Sequence, residues 1–170
     1  VAGMRFLTRN RRRAMAGSLV GAVGAVVLAA GLWPVLAATD MPVARTLVLL
    51  VPAGVVFVLS LGVALSRFIT QVVDPLAATS APRPMGVIQR TLTNSLEQGF
   101  VFAAAGTALL QTDAVWAPGA AAVLAVTFGA GRLVFLLGYL HSTFGRGPGM
   151  AATFLANAAA GGLAVFGLLT

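Results

Sequence analysis

The chain is 170 residues long, 59% apolar and 9% charged, with a mean hydropathy of +0.97; soluble domains carry roughly 25% charged residues, so this composition excludes a soluble fold and indicates a membrane protein. The net charge of +7 comes from arginine alone, with no lysine, and on a membrane protein such charge marks the flanks of spans rather than a nucleic-acid site. With no cysteine, one histidine and four acids, there is no disulfide frame or thiolate site, and no metal is expected.

The chain opens on a basic tract over residues 1–13, with Arg5, Arg9, Arg11, Arg12 and Arg13. An apolar run follows from Ala14 to Ala38. That run exceeds the roughly 7–15 residues of a signal-peptide core and reaches the roughly 20 needed to cross a bilayer, so we expect a retained first span. Gly17 and Gly21 form a small-xxx-small step that lets another helix come close. Pro34 and the interfacial Trp33 mark its end.

A second span is expected from Val43 to Phe68, with Pro52 inside it and Arg67 at its far end. The main loop, Gln71 to Met85, is punctuated by Asp74-Pro75 and Pro82-Arg83-Pro84, steps that helices seldom cross. A third span starts near Gly86 and runs to Leu110. Its first turns place Arg90, Asn94 and Glu97 at i, i+4 and i+7, on one helix face. The fourth span, Val115 to His141, carries Arg132 and Tyr139 seven residues apart, with Phe135 between them. After a tight loop containing Arg146, the fifth span, Met150 to Leu169, is nearly all Ala, Gly, Leu and Phe.

Arginine placement sets the expected topology. The N-terminal tract, the main loop with its ends, and the last loop hold most of the arginines, whereas the turns around Asp40 and Asp113 have one, Arg45. The positive-inside rule then puts the N-terminus and these loops in the cytoplasm and the C-terminus on the opposite side of a cell membrane. Arg67, Arg90, Asn94, Glu97, Arg132, Tyr139 and Arg146 would all gather at cytoplasm-facing helix mouths.

Ionisable groups inside a membrane usually face a bundle interior or a wet cavity. An Arg90–Glu97 ion pair that only fixes helix register would explain those two residues, and snorkelling to headgroups would explain Arg67 and Arg146. Tyr139 also suits an aromatic belt, and Asn157 an interhelical hydrogen bond. As a binding site, the arginines would fork carboxylates, Glu97 would hold an ammonium and Asn94 would bridge amides, a pattern suited to a zwitterionic peptide. With Glu97 the one glutamate, a two-carboxylate mechanism would need Asp74.

Arg-x-x-x-Asn-x-x-Glu opening one span, Arg-x-x-x-x-x-Gly-Tyr ending the next, and an arginine seven residues on together resemble the MAPEG family, membrane-associated proteins in eicosanoid and glutathione metabolism. Asn-Ser-Leu-Glu-Gln and Gly-Tyr-Leu are most similar to its bacterial members. The resemblance covers residues 43–170 and implies an all-α integral membrane protein: a four-helix antiparallel bundle, here with one additional N-terminal transmembrane helix over residues 14–38. It further implies a homotrimer that takes glutathione, or another low-molecular-weight thiol, as co-substrate between subunits. By this resemblance Arg67, Arg90, Asn94, Glu97 and Arg132 bind glutathione, Tyr139 belongs to the catalytic site, and Arg146 stabilises the thiolate that attacks a lipophilic substrate. Phe135 stands where many members have tyrosine, and Leu92 and Gln98 where some have glutamine and tyrosine. The alternative is a non-catalytic scaffold or accessory subunit that keeps the fold and docks a membrane-protein partner through the first span.

Overall fold

A computed structural model describes residues 2–70 and 83–170. The described residues form five helices: α1 (Ala2–Leu36), α2 (Met41–Thr70), α3 (Arg83–Leu109), α4 (Ala117–His141) and α5 (Gly147–Leu169). The boundaries lie close to those expected. α1 continues back through the basic tract as helix, whereas the expected loop around Asp74 lies outside the described residues.

Local chemistry sets the starts. Asp40 accepts a hydrogen bond from the Val43 amide at 3.0 Å, capping α2 ahead of Pro42. Pro118 and Pro148 occupy the first turns of α4 and α5, where a missing N–H costs nothing. Pro52 lies buried within α2, against the position of Gly99 on α3.

Among the described residues, the Ala14–Leu36 part of α1 and helices α2, α4 and α5 are long and apolar enough to cross a bilayer. α3 is not in that group, because Gln89–Gln98 dilutes its hydropathy. It nevertheless packs along α2, α4 and α5. Its inward stripe is Val87, Thr91, Ser95, Gly99, Phe102 and Leu109, all buried, at the spacing of one helix face. Thr91 satisfies its own hydroxyl by donating to the Val87 carbonyl at 2.8 Å.

Packing contacts fix the directions. Val48 meets the position of Gly106, and Ile88 that of Gly62, so α2 and α3 are antiparallel. Phe135 meets Gly149, and Gly131 meets Thr153, so α4 and α5 are antiparallel too. α1 lies outside this four-helix bundle, against α5 and α4. One half of the bundle is an apolar core around Val48, Phe102, Leu109 and Phe128, with the two phenyl rings stacked at 4.8 Å. The other half ends in a mouth where the C-termini of α2 and α4 lie beside the N-termini of α3 and α5, and there Arg90, Arg132, Tyr139 and Arg146 sit.

Candidate functional site at the helix mouths

Arg132 is the buried centre of this mouth, only 2% exposed. Its Nη1 donates to Asn94 Oδ1 at 2.8 Å and to Ser95 Oγ at 3.4 Å, both on α3. Its Nε donates to Thr153 Oγ1 on α5 at 3.1 Å. The guanidinium lies 4.6 Å from the Phe135 ring centre, a cation–π contact. Among the described residues, Nη2 is buried with no partner. A planar guanidinium held at Nε and Nη1, with only Nη2 unsatisfied, is suited to one incoming acceptor.

A second group lies further out. Arg90 Nη1 donates to the Tyr139 hydroxyl at 3.4 Å, a long contact. Arg146 stands over the Tyr139 ring at 5.1 Å, and Phe135 meets that ring edge-on at 5.9 Å. The buried Phe135–Tyr139 pair with Val87 forms a small apolar cluster beneath the charges.

Close backbone approach brings Arg146 here. A Cβ at Gly138 would run into the Gly145 carbonyl, and one at Gly149 into the Phe135 backbone. Without those side chains the α4–α5 loop folds directly onto α4, and Arg146 reaches the tyrosine one residue beyond Gly138.

The structure therefore joins Arg90, Asn94, Arg132, Tyr139 and Arg146 through contacts across α3, α4 and α5. Two expected residues stay apart. Glu97 is exposed on the outer face of α3 and, among the described residues, has no hydrogen bond or ion pair. The simple Arg90–Glu97 register pin is thus not formed: Arg90 turns to Tyr139 instead. Arg67 is half-buried at the end of α2, its Nε without a partner among the described residues.

Asn157 makes the interhelical bond expected of it, donating from Nδ2 to Gln98 Oε1 at 2.8 Å and to the Gln98 carbonyl at 3.3 Å. Ser95 and Thr153 were missed as supports of Arg132. The available signal was Thr153 and Asn157 at i and i+4 on an otherwise apolar α5, a polar stripe that must face partners. An apolar groove of about 290 Å³ between α2 and α4, lined by Val55, Leu59, Leu133 and Leu136, reaches Arg132.

Among the described residues every element is a helix, and four helices are long and apolar enough to cross a bilayer, which defines an all-α integral membrane protein. The MAPEG family model matches residues 43–166, most of the chain, and the protein belongs to that family. The match covers α3 and α4 in full and nearly all of α2 and α5, and leaves α1 outside it. No curated protein matches the chain.

Proposed function

We propose that the protein is a thiol transferase that binds glutathione, or a related small thiol, at this mouth and joins it to a lipophilic electrophile or uses it to reduce one. The observation that carries the reading is Arg132: a buried guanidinium held by Asn94, Ser95 and Thr153 with Nη2 unsatisfied. Leaving a buried donor unpaired costs free energy, and a ligand carboxylate or carbonyl would recover it.

Glu97 supports an inter-subunit site in a homotrimer. A lone carboxylate on the outer face of a membrane helix is costly, and a neighbouring copy that covers it, with a ligand ammonium as counter-charge, removes that cost. Arg90, Asn94 and Arg67 position the peptide. Arg146 favours the charged form of the sulfur, so the thiol ionises more readily. The thiolate then forms a carbon–sulfur bond to the electrophile while the leaving group departs with its electron pair. The groove beside Arg132 gives a bilayer-dissolved substrate an apolar approach. Arginine bias supports a cytoplasm-facing mouth.

The test is turnover of glutathione with an apolar aryl halide in proteoliposomes. We expect native activity, a loss of at least tenfold in kcat for Arg146→Ala, and a raised KM for glutathione in Glu97→Gln with the oligomer intact. Dissociation of the oligomer in Glu97→Gln, with glutathione affinity unchanged, would make Glu97 an assembly residue and contradict its role as a ligand contact.

A second reading, a scaffold without chemistry, has one observation in its favour. Phe135 fills the space between Arg132 and Tyr139 with a ring that has no hydroxyl. Native protein that binds no thiol and co-purifies with a stable membrane partner would decide for it.

A further inference from the structure

α1 lies outside the matched family segment, yet among the described residues it meets the mouth at the start of α5. A Cβ at Gly21 would overlap the backbone of Pro148, and one at Gly17 would meet the Pro148 ring at 3.4 Å. One turn nearer the mouth, a Cβ at Gly147 would lie 3.6 Å from the Ala14 carbonyl and the Ser18 hydroxyl. On the other side of Arg146, Gly145 rests on Gly138 of α4.

Arg146 thus stands in a Gly-Arg-Gly-Pro-Gly segment whose backbone is walled on both sides. Glycine-rich chain has the most freedom to lose on ordering. α4 supplies one wall and α1 supplies the other. At the side chain itself Arg146 is exposed and, among the described residues, stands over the Tyr139 ring with no hydrogen bond or ion pair. Its position is therefore set through its backbone.

We propose that α1 is a clamp whose Gly17 and Gly21 seat Pro148 and so position Arg146 over Tyr139. The purpose of that position rests on the thiol-transferase reading; the position itself does not. Gly21 is a positioning residue in this scheme, acting only through Pro148 and Arg146.

Tyr139 is the one tyrosine in the sequence, so protein labelled with meta-fluorotyrosine gives a single fluorine resonance beside Arg146. Gly24, one turn on from Gly21 along the same helix, is an internal control because a Cβ there meets nothing within 4 Å. We expect Gly21→Ala to move the resonance in the same direction as Arg146→Ala and Gly24→Ala to leave it in place. Should Gly21→Ala fail to accumulate, Pro148→Ala, which removes the ring facing Gly17, is expected to move it the same way. A resonance unmoved by the clamp variants, or moved equally by Gly24→Ala, overturns the proposal.

Thiol titration separates this from the functional reading. With bound glutathione, Gly21→Ala is expected to lower kcat several-fold more than it raises KM. If native protein takes up no thiol, the transferase reading fails and the fluorine signal alone judges the clamp.

Discussion

Arg132 shows how much of the mouth depends on one side chain. It satisfies acceptors on α3 and α5 at once, and no other residue type offers a planar fork of that reach. Replacing it with methionine keeps the volume but strands Asn94 Oδ1, and an unsatisfied buried polar group costs about 1–3 kcal/mol. We therefore expect Arg132→Met to unfold earlier in detergent titration by that amount and to lose thiol binding; retained thiol affinity would remove Arg132 from the site. At Phe135 the prediction runs the other way. Phe135→Tyr adds a hydroxyl between Arg132 and Tyr139 and should increase the thiolate absorbance of bound glutathione without loss of stability. An unchanged signal would mean that a hydroxyl at this position has no part in ionising the sulfur. The residue types were legible in the sequence, because spacing along a helix fixes which side chains share a face. Their partners were not. Spacing on α3 cannot say that Arg90 turns to Tyr139 and leaves Glu97 exposed, since that choice is made by α4. Thr153 escaped notice because a threonine in an apolar helix is usually satisfied by its own backbone, and here it donates to the Gly149 carbonyl at 2.7 Å while still accepting from Arg132.

At the scale of elements, the α4–α5 hairpin is packed backbone to backbone. Gly149→Ala would push a methyl into the Phe135 backbone, and overpacking of this kind costs typically ~1–3 kcal/mol. Gly161 on the same helix faces open space, so Gly161→Ala should be neutral or stabilise by up to ~1 kcal/mol through helix propensity. Equal losses at both positions, measured by reversible unfolding in mixed micelles, would contradict the packing described. Between α3 and α5, the Gln98–Asn157 bond should show a coupling of about 0.6 kcal/mol in a double-mutant cycle with leucine, the usual size for such bonds in membranes. The helices themselves were readable from hydropathy, Pro-rich breaks and arginine flanks; the ends of α2 to α5 moved by only a few residues, whereas α1 begins at Ala2, twelve residues ahead of the expected Ala14. α3 was the exception in kind. Its polar first half lowers its hydropathy below that of a free-standing span, and only its packing against three neighbours explains why it runs alongside them.

For the whole molecule, the described helices alternate in direction, which brings Arg90, Tyr139 and Arg146 together at the end of the bundle where α2 finishes with Arg67. The small-residue step at Gly17 and Gly21 predicted a close neighbour for α1, but the neighbour, Pro148 beside Arg146, is a tertiary fact that no local pattern encodes. The exposed Glu97 leads to a prediction at this scale: cross-linking in native membranes should yield trimers, with Glu97 shielded from aqueous carboxyl reagents in the trimer and reactive in dissociated protein. A reactive Glu97 in the intact trimer would place it away from any subunit contact. Glutathione titration of the purified protein probes thiol binding at the mouth directly, following heat and thiolate absorbance together for native, Glu97→Gln and Arg146→Ala protein. Saturable binding with a thiolate signal is expected in the native chain, binding without that signal in Arg146→Ala, and weakened binding in Glu97→Gln. No heat of binding and no thiolate in the native protein would contradict thiol binding at the mouth.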